Sequence, residues 1–164
     1  MKAKLFFGIL YSDKELLRKI TEKLEKRFGE IEKQSFSYNF ERFTKYYNKE
    51  MGSNLKKKFL IFKNKITKDR LANIKTQSNK LENEFKIKNK RKIDLDPGYL
   101  TTSELILASS KASPYKTEIA KGVYSHKTLK FNKKQNCFEE LPRTFPDFRW
   151  NKLKEFFLEI RNKI

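Results

Sequence analysis

The chain has 164 residues, of which 37% are hydrophobic and 14% aromatic, so it can bury one compact core and global disorder is excluded. Its single cysteine, Cys137, excludes an internal disulfide, and no apolar run reaches the roughly 18 residues that a membrane-spanning helix needs. The formal net charge of +19 predicts attraction to polyanions, and the first residues lack the layout of a secretory signal, so we expect one cytoplasmic domain over residues 1–164.

The positive charge is concentrated in the middle of the chain. Residues 53–92 carry 14 basic and 3 acidic side chains, whereas the segments before and after each carry an excess of only 4. Two interpretations stay open. The lysines can be ordinary solvated surface residues of a lysine-biased composition, or they can form a surface that binds a polyanion.

The first half of the chain predicts strands and one helix. The apolar run 5–10 is typical of a central strand buried on both faces. Ser12 and Glu15 have the spacing of a capping box, and the helix that they start ends at Gly29. Alternation over 36–40 predicts a strand with one buried face, residues 43–52 a loop, and residues 58–63 another strand.

The second half predicts two more helices and a hairpin. Thr67 can cap a long helix, and residues 93–95 form a strand that leads into a tight turn at 96–98. Residues 105–108 are too few to distinguish strand from helix. Residues 123–131 and 137–141 predict a hairpin, and Asp147 is positioned to cap a C-terminal helix. This order predicts an α+β fold, a ferredoxin-like βαββαβ core with a C-terminal β-hairpin and helix.

The sequence excludes several kinds of catalytic centre. Five glycines build neither a P-loop nor a dinucleotide fingerprint, and one histidine with one cysteine cannot supply a zinc site. We therefore expect no cofactor except, as an alternative, magnesium. Asp94 and Asp96 lie on one face of the predicted strand and can bind that ion, with Glu50 or Glu104 as a third ligand.

His126 belongs to the pattern His-x-Thr-apolar, which resembles one half of the motif of the two-histidine phosphoesterases. Those enzymes use two histidines as general base and general acid, and this chain contains one. We expect His126 to be a neutral polar residue on a half-exposed strand, with its pKa held down by the neighbouring Lys127, near a possible phosphate cleft.

Six further segments resemble the prokaryotic domain-of-unknown-function family catalogued as four-four-one-six. They are Phe7-Gly8-Ile9-Leu10-Tyr11, residues Thr44 to Gly52 with the core Tyr46-Tyr47-x-x-Glu50-Met51-Gly52, Asp94-x-Asp96-Pro97-Gly98-Tyr99-Leu100-Thr101, Leu107-Ala108-Ser109-Ser110-Lys111, Lys121-Gly122-Val123-Tyr124 and Leu141-Pro142-x-Thr144-Phe145-Pro146-Asp147-Phe148-Arg149. The resemblance implies no established activity. Some members bear a GTP-binding label, and the position of His126 is often acidic in the family.

The matched segments are largely loop ends with polar or aromatic side chains, which predicts a shared cleft. Such residues supply acceptors, hydroxyl donors, cations and stacking rings, the components of a nucleotide or phosphate pocket. The other interpretation is that the prolines fix turns against which the tyrosines pack. The candidate ligand-binding residues are Tyr46, Tyr47, Glu50, Asp94, Asp96, Tyr99, Thr101, Lys121, His126 and Arg149.

The sequence favours a binding domain for a phosphorylated partner, either RNA or a nucleotide. A metal-assisted phosphoesterase or nucleotide hydrolase that uses Asp94 and Asp96 is the alternative, and a protein-binding adaptor is the second alternative. The oligomeric state stays open.

Overall fold

One antiparallel sheet of nine strands runs through the computed structural model, which describes residues 2–164. Its strands are β1 Lys2–Tyr11, β2 Ile31–Gln34, β3 Tyr38–Asn39, β4 Lys56–Thr67, β5 Ile93–Leu100, β6 Glu104–Ser109, β7 Thr117–Ala120, β8 Val123–Asn132 and β9 Cys137–Glu140. The main strand order is β2-β4-β1-β5-β6-β8-β7, with β3 paired to β4 and β9 paired to β8.

Four α-helices cover the sheet within the described residues: α1 Lys14–Phe28, α2 Asn48–Met51, α3 Leu71–Glu84 and α4 Asn151–Asn162. The alternation of β1 divides the core into two clusters. Phe6 and Leu10 pack with α4, whereas Phe7 and Ile9 pack with α1 and α3. Because β1 pairs with β4 on one edge and β5 on the other, the prediction of a central strand buried on both faces is confirmed.

The predicted mixture of helices and strands is confirmed, but the antiparallel sheet is larger than expected. Residues 105–108 lie in a strand, and residues 117–120 add a strand that the sequence did not predict. Residues 36–40 contribute only the two-residue strand β3, and the predicted loop at 43–52 contains the short helix α2.

Four local predictions were wrong. Thr67 forms no side-chain cap and precedes a 3-10 turn, Lys68–Arg70, while α3 begins only at Leu71. Asp13, not Ser12, caps α1, and its carboxylate accepts from two backbone N–H groups of the first turn. Asp147 does not cap α4, because it lies in the preceding 3-10 turn Pro146–Arg149. The turn expected at 96–98 does not exist, since β5 runs through Asp96, Pro97 and Gly98 without interruption.

Pro97 and Gly98 instead mark the place where the sheet divides. The pairing of β5 with β6 extends only from Leu100 to Gly98, so no strand of the described chain, residues 2–164, lies beside the first half of β5 on that edge. Strand alternation directs the nitrogen of Pro97 to this edge, and a proline nitrogen has no hydrogen to continue the ladder. A Cβ at Gly98 would lie 2.3 Å from the carbonyl oxygen of Ile106, so the last pair before the division requires glycine.

Helix α3 satisfies the open edge of β5. The backbone N–H of Leu95 donates to Glu82 at 2.6 Å, and the Leu95 carbonyl accepts from Lys75 at 3.1 Å. Buried backbone groups need such partners, so two side chains of one helix replace the missing strand. We call this opening between β5 and β6 the fork.

Candidate ligand-binding pocket at the fork

A pocket of about 610 Å³ opens at the fork. Strands β5 and β6, helix α3, the segment 40–47 and the segments 109–116 and 145–147 supply its walls. Leu10, Phe40 and Leu107 contribute apolar surface, and charged side chains of both signs project among them.

Asp94 and Asp96 lie side by side in this pocket, as the alternation of β5 predicted. Asp94 Oδ1 accepts from Arg91 at 2.6 Å, and Asp96 Oδ1 lies 3.9 Å from the ammonium of Lys75. The Asp94 side chain is 5% exposed and that of Asp96 is 27% exposed, so Asp96 is the one that a ligand can reach.

The pKa values of the two carboxyl groups shift in opposite directions. Burial, and then the charge of Asp94, raise the pKa of Asp96 well above its ordinary value. Burial alone would also raise the pKa of Asp94, but a hydrogen bond from Asp96 and the charges of Lys75 and Arg91 lower it. These opposite shifts favour the negative charge of the pair on Asp94.

Arg91 connects the pocket to α2 through hydrogen bonds with Glu50. Its guanidinium donates to both carboxylate oxygens of Glu50, at 2.8 and 2.9 Å, and lies 3.6 Å from Glu82. The hydrogen bond from Arg91 is the main reason that the pKa of Glu50 is lowered. Burial, and then the charge of Asp94, raise the pKa of Glu82 to about 7.

A buried ion pair forms another wall. Lys57 donates to Asp147 Oδ2 at 2.9 Å, and the Tyr38 hydroxyl donates to the same oxygen at 2.8 Å. The Lys57 ammonium also lies 5.1 Å from the ring centroid of Phe40. Burial would lower the pKa of Lys57, but the charge of Asp147 and those of the carboxyl pair raise it, so Lys57 stays protonated.

Lysines and an exposed tyrosine line the mouth of the pocket. Lys116 donates to Ser109 Oγ at 3.0 Å and to the Lys111 carbonyl at 3.2 Å. Lys111 donates to the Tyr46 hydroxyl, and its ammonium lies 4.4 Å from the centroid of that ring. Burial, and then the charge of Lys111, lower the pKa of Lys116.

The structure brings some of the candidate residues together. Tyr46, Tyr47, Asp94 and Asp96 line the pocket, and Glu50 joins them through Arg91. Burial raises the pKa of Tyr47, so this tyrosine is present as a neutral phenol.

Four other candidates lie elsewhere. Tyr99 is buried on the opposite face of the sheet, and Thr101 accepts from the backbone of the turn that leads into β6. Lys121 is exposed in the turn between β7 and β8. Arg149 pairs with Glu140, and its guanidinium donates to backbone carbonyls.

His126 is buried, not half-exposed, with 3% of its surface accessible. Its Nε2 donates to the Arg143 carbonyl at 3.0 Å, because a carbonyl can only accept. The imidazole lies 4.7 Å from the ring of Phe145, which lines the pocket. Burial is the main cause of its lowered pKa, and the contributing charge is that of Lys116, not Lys127 as predicted.

The sequence analysis did not predict several residues of the pocket. Lys75 and Glu82 are separated by seven positions, two helical turns, so they share a face of α3 beside its apolar stripe. That spacing could have identified them. Lys57 lies in a run of three lysines, and strand alternation could have indicated that its middle member points inward.

The protein side chains of the fork do not fit a complete magnesium site. Among residues 2–164, no three His, Cys, Asp or Glu side chains converge to hold a metal. Arg91 engages both Glu50 and Asp94, and Glu104 lies beyond the far end of β5, paired with Lys68 and Lys127.

A family model described as Domain of unknown function (DUF4416) matches residues 1–164 of the chain. Neither a curated protein nor a solved structure matches it. Within residues 2–164, no helix is both long and apolar enough to cross a membrane.

Proposed function

We propose that this chain, which belongs to the DUF4416 family of domains of unknown function, binds a phosphorylated ligand of nucleotide type in the pocket at the fork. The observation that supports the proposal most directly is the pair of ammonium groups at the mouth. Within residues 2–164, Lys111 and Lys116 contact hydroxyl and carbonyl groups but form no ion pair. Two ammonium groups that lack a carboxylate above an open pocket provide a site for a phosphate.

The interior of the pocket can bind the sugar and the base of a nucleotide. The accessible carboxyl group of Asp96 can accept from a sugar hydroxyl or a base amino group, as acidic residues do at ribose hydroxyls. Tyr47 and Phe145 supply apolar ring surface for a base. A volume of about 610 Å³ falls within the range of small-molecule sites, roughly 300–1,000 Å³.

The central excess of basic residues contributes to this pocket as well as to the outer surface. Of the residues in 53–92, Lys57, Lys75 and Arg91 project into the pocket and pair there with carboxyl groups. These three cations are therefore already engaged by buried acids. The phosphate is therefore assigned to Lys111 and Lys116, which lie outside that segment.

We also propose a topology for the fold: β1, α1, β2, β4, α3 and β5 form a ferredoxin-like unit, and β6 to β9 and α4 extend it. The strand order β2-β4-β1-β5, with α1 and α3 on one face, supports it.

The test is calorimetric titration with nucleoside mono-, di- and triphosphates and with inorganic phosphate. A nucleotide should bind, and Lys111→Ala and Lys116→Ala should each weaken it by about tenfold or more, because each removes a charge-assisted hydrogen bond. Lys133→Ala is the matched control, since Lys133 is equally a lysine but lies exposed in the turn between β8 and β9.

Thermal unfolding of each variant checks that the loop at 109–116 remains folded. If no phosphorylated compound binds at millimolar concentration, or if Lys133→Ala weakens binding as much as Lys116→Ala does, the proposal fails.

A further inference from the structure

Exposed aromatic side chains are clustered around the mouth of the pocket. Among residues 2–164, five large apolar or aromatic side chains are exposed, and three of them belong to this region. Tyr46 is 66% exposed, Tyr115 is 58% exposed and Phe145 is 36% exposed. Tyr46 and Phe145 line the pocket, whereas Tyr115 lies outside it, on the loop between Lys111 and Lys116.

A cation accompanies two of these rings. The guanidinium carbon of Arg143 lies 3.8 Å from the ring centroid of Tyr115, and the same guanidinium donates to the Tyr115 hydroxyl. Lys111 occupies the corresponding position over Tyr46, at 4.4 Å. Arg143 forms no ion pair within residues 2–164, so its charge, like that of Lys111, is not neutralised by a neighbouring acid.

Together these residues form a continuous surface that we call the aromatic-basic strip, defined as Tyr46, Lys111, Tyr115, Lys116, Arg143 and Phe145. It begins at the pocket mouth and continues past it to Tyr115 and Arg143. Alternating rings and cations without acids are typical of surfaces that bind single-stranded nucleic acid, where bases stack on rings and phosphates meet cations.

We propose that the nucleotide bound at the fork is the terminal nucleotide of a single-stranded nucleic acid, and that the adjoining nucleotides lie along the strip. This inference rests on the proposed function, because it requires that the pocket bind a nucleotide. A duplex does not fit, since its paired and stacked bases leave no free face for Tyr115.

The charges of the pocket explain why the strand ends there. Glu82 and Asp94 line the pocket, and Glu50 joins them through Arg91; Glu50 and Asp94 are ionised, and both accept from that one guanidinium. One guanidinium thus faces two carboxylates, and the excess negative charge disfavours a second phosphate beyond the pocket. The cations of the strip, in contrast, form no ion pair with an acid of residues 2–164.

The test compares two ligands with the same set of variants. Binding of a fluorescein-labelled pentanucleotide of mixed sequence is measured by anisotropy, as RNA and as DNA, and binding of the tightest mononucleotide is measured by calorimetry. Tyr115→Ala and Arg143→Ala should weaken the single-stranded pentanucleotide about 5- to 150-fold, the range for loss of a stacked base, and should change mononucleotide binding less than twofold.

Two controls make the comparison specific. Lys133→Ala removes one exposed positive charge far from the strip and should change pentanucleotide affinity less than twofold. Lys111→Ala should weaken both ligands, because Lys111 belongs to both the pocket mouth and the strip. Affinity should fall with salt with a logarithmic slope of about −2, as expected if Lys111, Lys116 and Arg143 each neutralise one phosphate of a single strand.

The outcomes separate the two proposals. If a mononucleotide binds but the pentanucleotide binds no more tightly, or if Tyr115→Ala affects neither, the strip is not a nucleic-acid site and the proposed function survives. Equal or tighter binding of a duplex of the same sequence, or of a poly-glutamate peptide, also overturns the inference. If neither nucleotide nor pentanucleotide binds, both proposals fail. Comparison of the RNA and DNA arms identifies the type of strand.

Discussion

Replacement of Lys57 should destabilise the protein strongly, because it would leave Asp147 as an unpaired buried charge. Lys57 is 6% exposed and Asp147 is 1% exposed, and their charged atoms are 2.9 Å apart. With an effective dielectric constant of about 20, Coulomb attraction at this distance is about 6 kcal/mol, before the cost of desolvating both groups. Measured losses for breaking such a pair are about 3–5 kcal/mol.

Urea denaturation measures this loss as a change in the free energy of unfolding. For a chain of this length, about 3–5 kcal/mol corresponds to a decrease in Tm of about 6–20 °C. Lys57→Met, Asp147→Asn and the double variant form a cycle in which the double variant should be more stable than the sum of the single losses predicts, by about 1–3 kcal/mol. Tyr38→Phe, measured separately, accounts for the hydroxyl that donates to the same carboxylate.

The pH dependence provides a second check. The pKa of Lys57 is raised above 10.5, so its contribution to stability is complete below that pH and is lost only as the pH rises through the higher folded value. The difference between the parent protein and Lys57→Met should therefore be constant from pH 6 to 9. Single variants that lose less than about 1 kcal/mol, or losses that simply add, would show that the pair is not a coupled buried charge pair.

Other residues give sharp expectations. The pKa of Glu82 is raised to about 7, so between about pH 4.5 and 7 the folded protein keeps a proton on Glu82 that the unfolded protein has lost. Stability should therefore fall as the pH rises through this range. Glu82→Gln should reduce the decrease, measured as the free energy of unfolding in urea at both pH values. Gly98→Ala should lose about 3 kcal/mol or more, because its Cβ would lie 2.3 Å from the Ile106 carbonyl; a Tm within 2 °C of the parent would contradict the close approach. His126→Glu should destabilise more than His126→Gln in thermal unfolding, since the site is buried and glutamine can still donate to the same carbonyl; equal Tm values would contradict this. Magnesium alone should leave the Tm unchanged, because Arg91 already occupies Asp94; stabilisation that Asp94→Ala abolishes would instead support the hydrolase alternative.

The local sequence pattern predicted the pair Asp94 and Asp96 correctly, because the side-chain period of a strand is two residues and needs no information from elsewhere. The same stretch misled at Pro97 and Gly98. Their composition is that of a turn, but Pro97 ends the ladder with β6 and Gly98 accommodates a carbonyl of that strand. Both reasons depend on a neighbour that the local sequence does not reveal.

The buried ion pair was missed for a related reason. Lys57 lies between two other lysines, which is typical of a solvated strand, and Asp147 is 90 residues away along the chain. Asp147 also precedes a predicted helix, where an aspartate is ordinarily a cap. Strand alternation can indicate that Lys57 points inward, but its partner depends on how the segment before α4 packs over the sheet, so no pattern within either segment indicates the pairing.

The fork distinguishes charges that the fold requires from charges that it does not. Where β6 leaves β5, the backbone of Leu95 loses its strand partner, and Glu82 and Lys75 replace that partner. The charges of Glu82 and Lys75, and those of the side chains paired with them, therefore follow from the need to give the buried backbone of Leu95 hydrogen-bond partners. Lys111 is not needed in this way, because among residues 2–164 its ammonium contacts the exposed Tyr46 and bonds to no buried group. Lys111 is therefore a cation at the pocket mouth that the fold does not require. Binding of a phosphorylated ligand gives a physical reason for its position there.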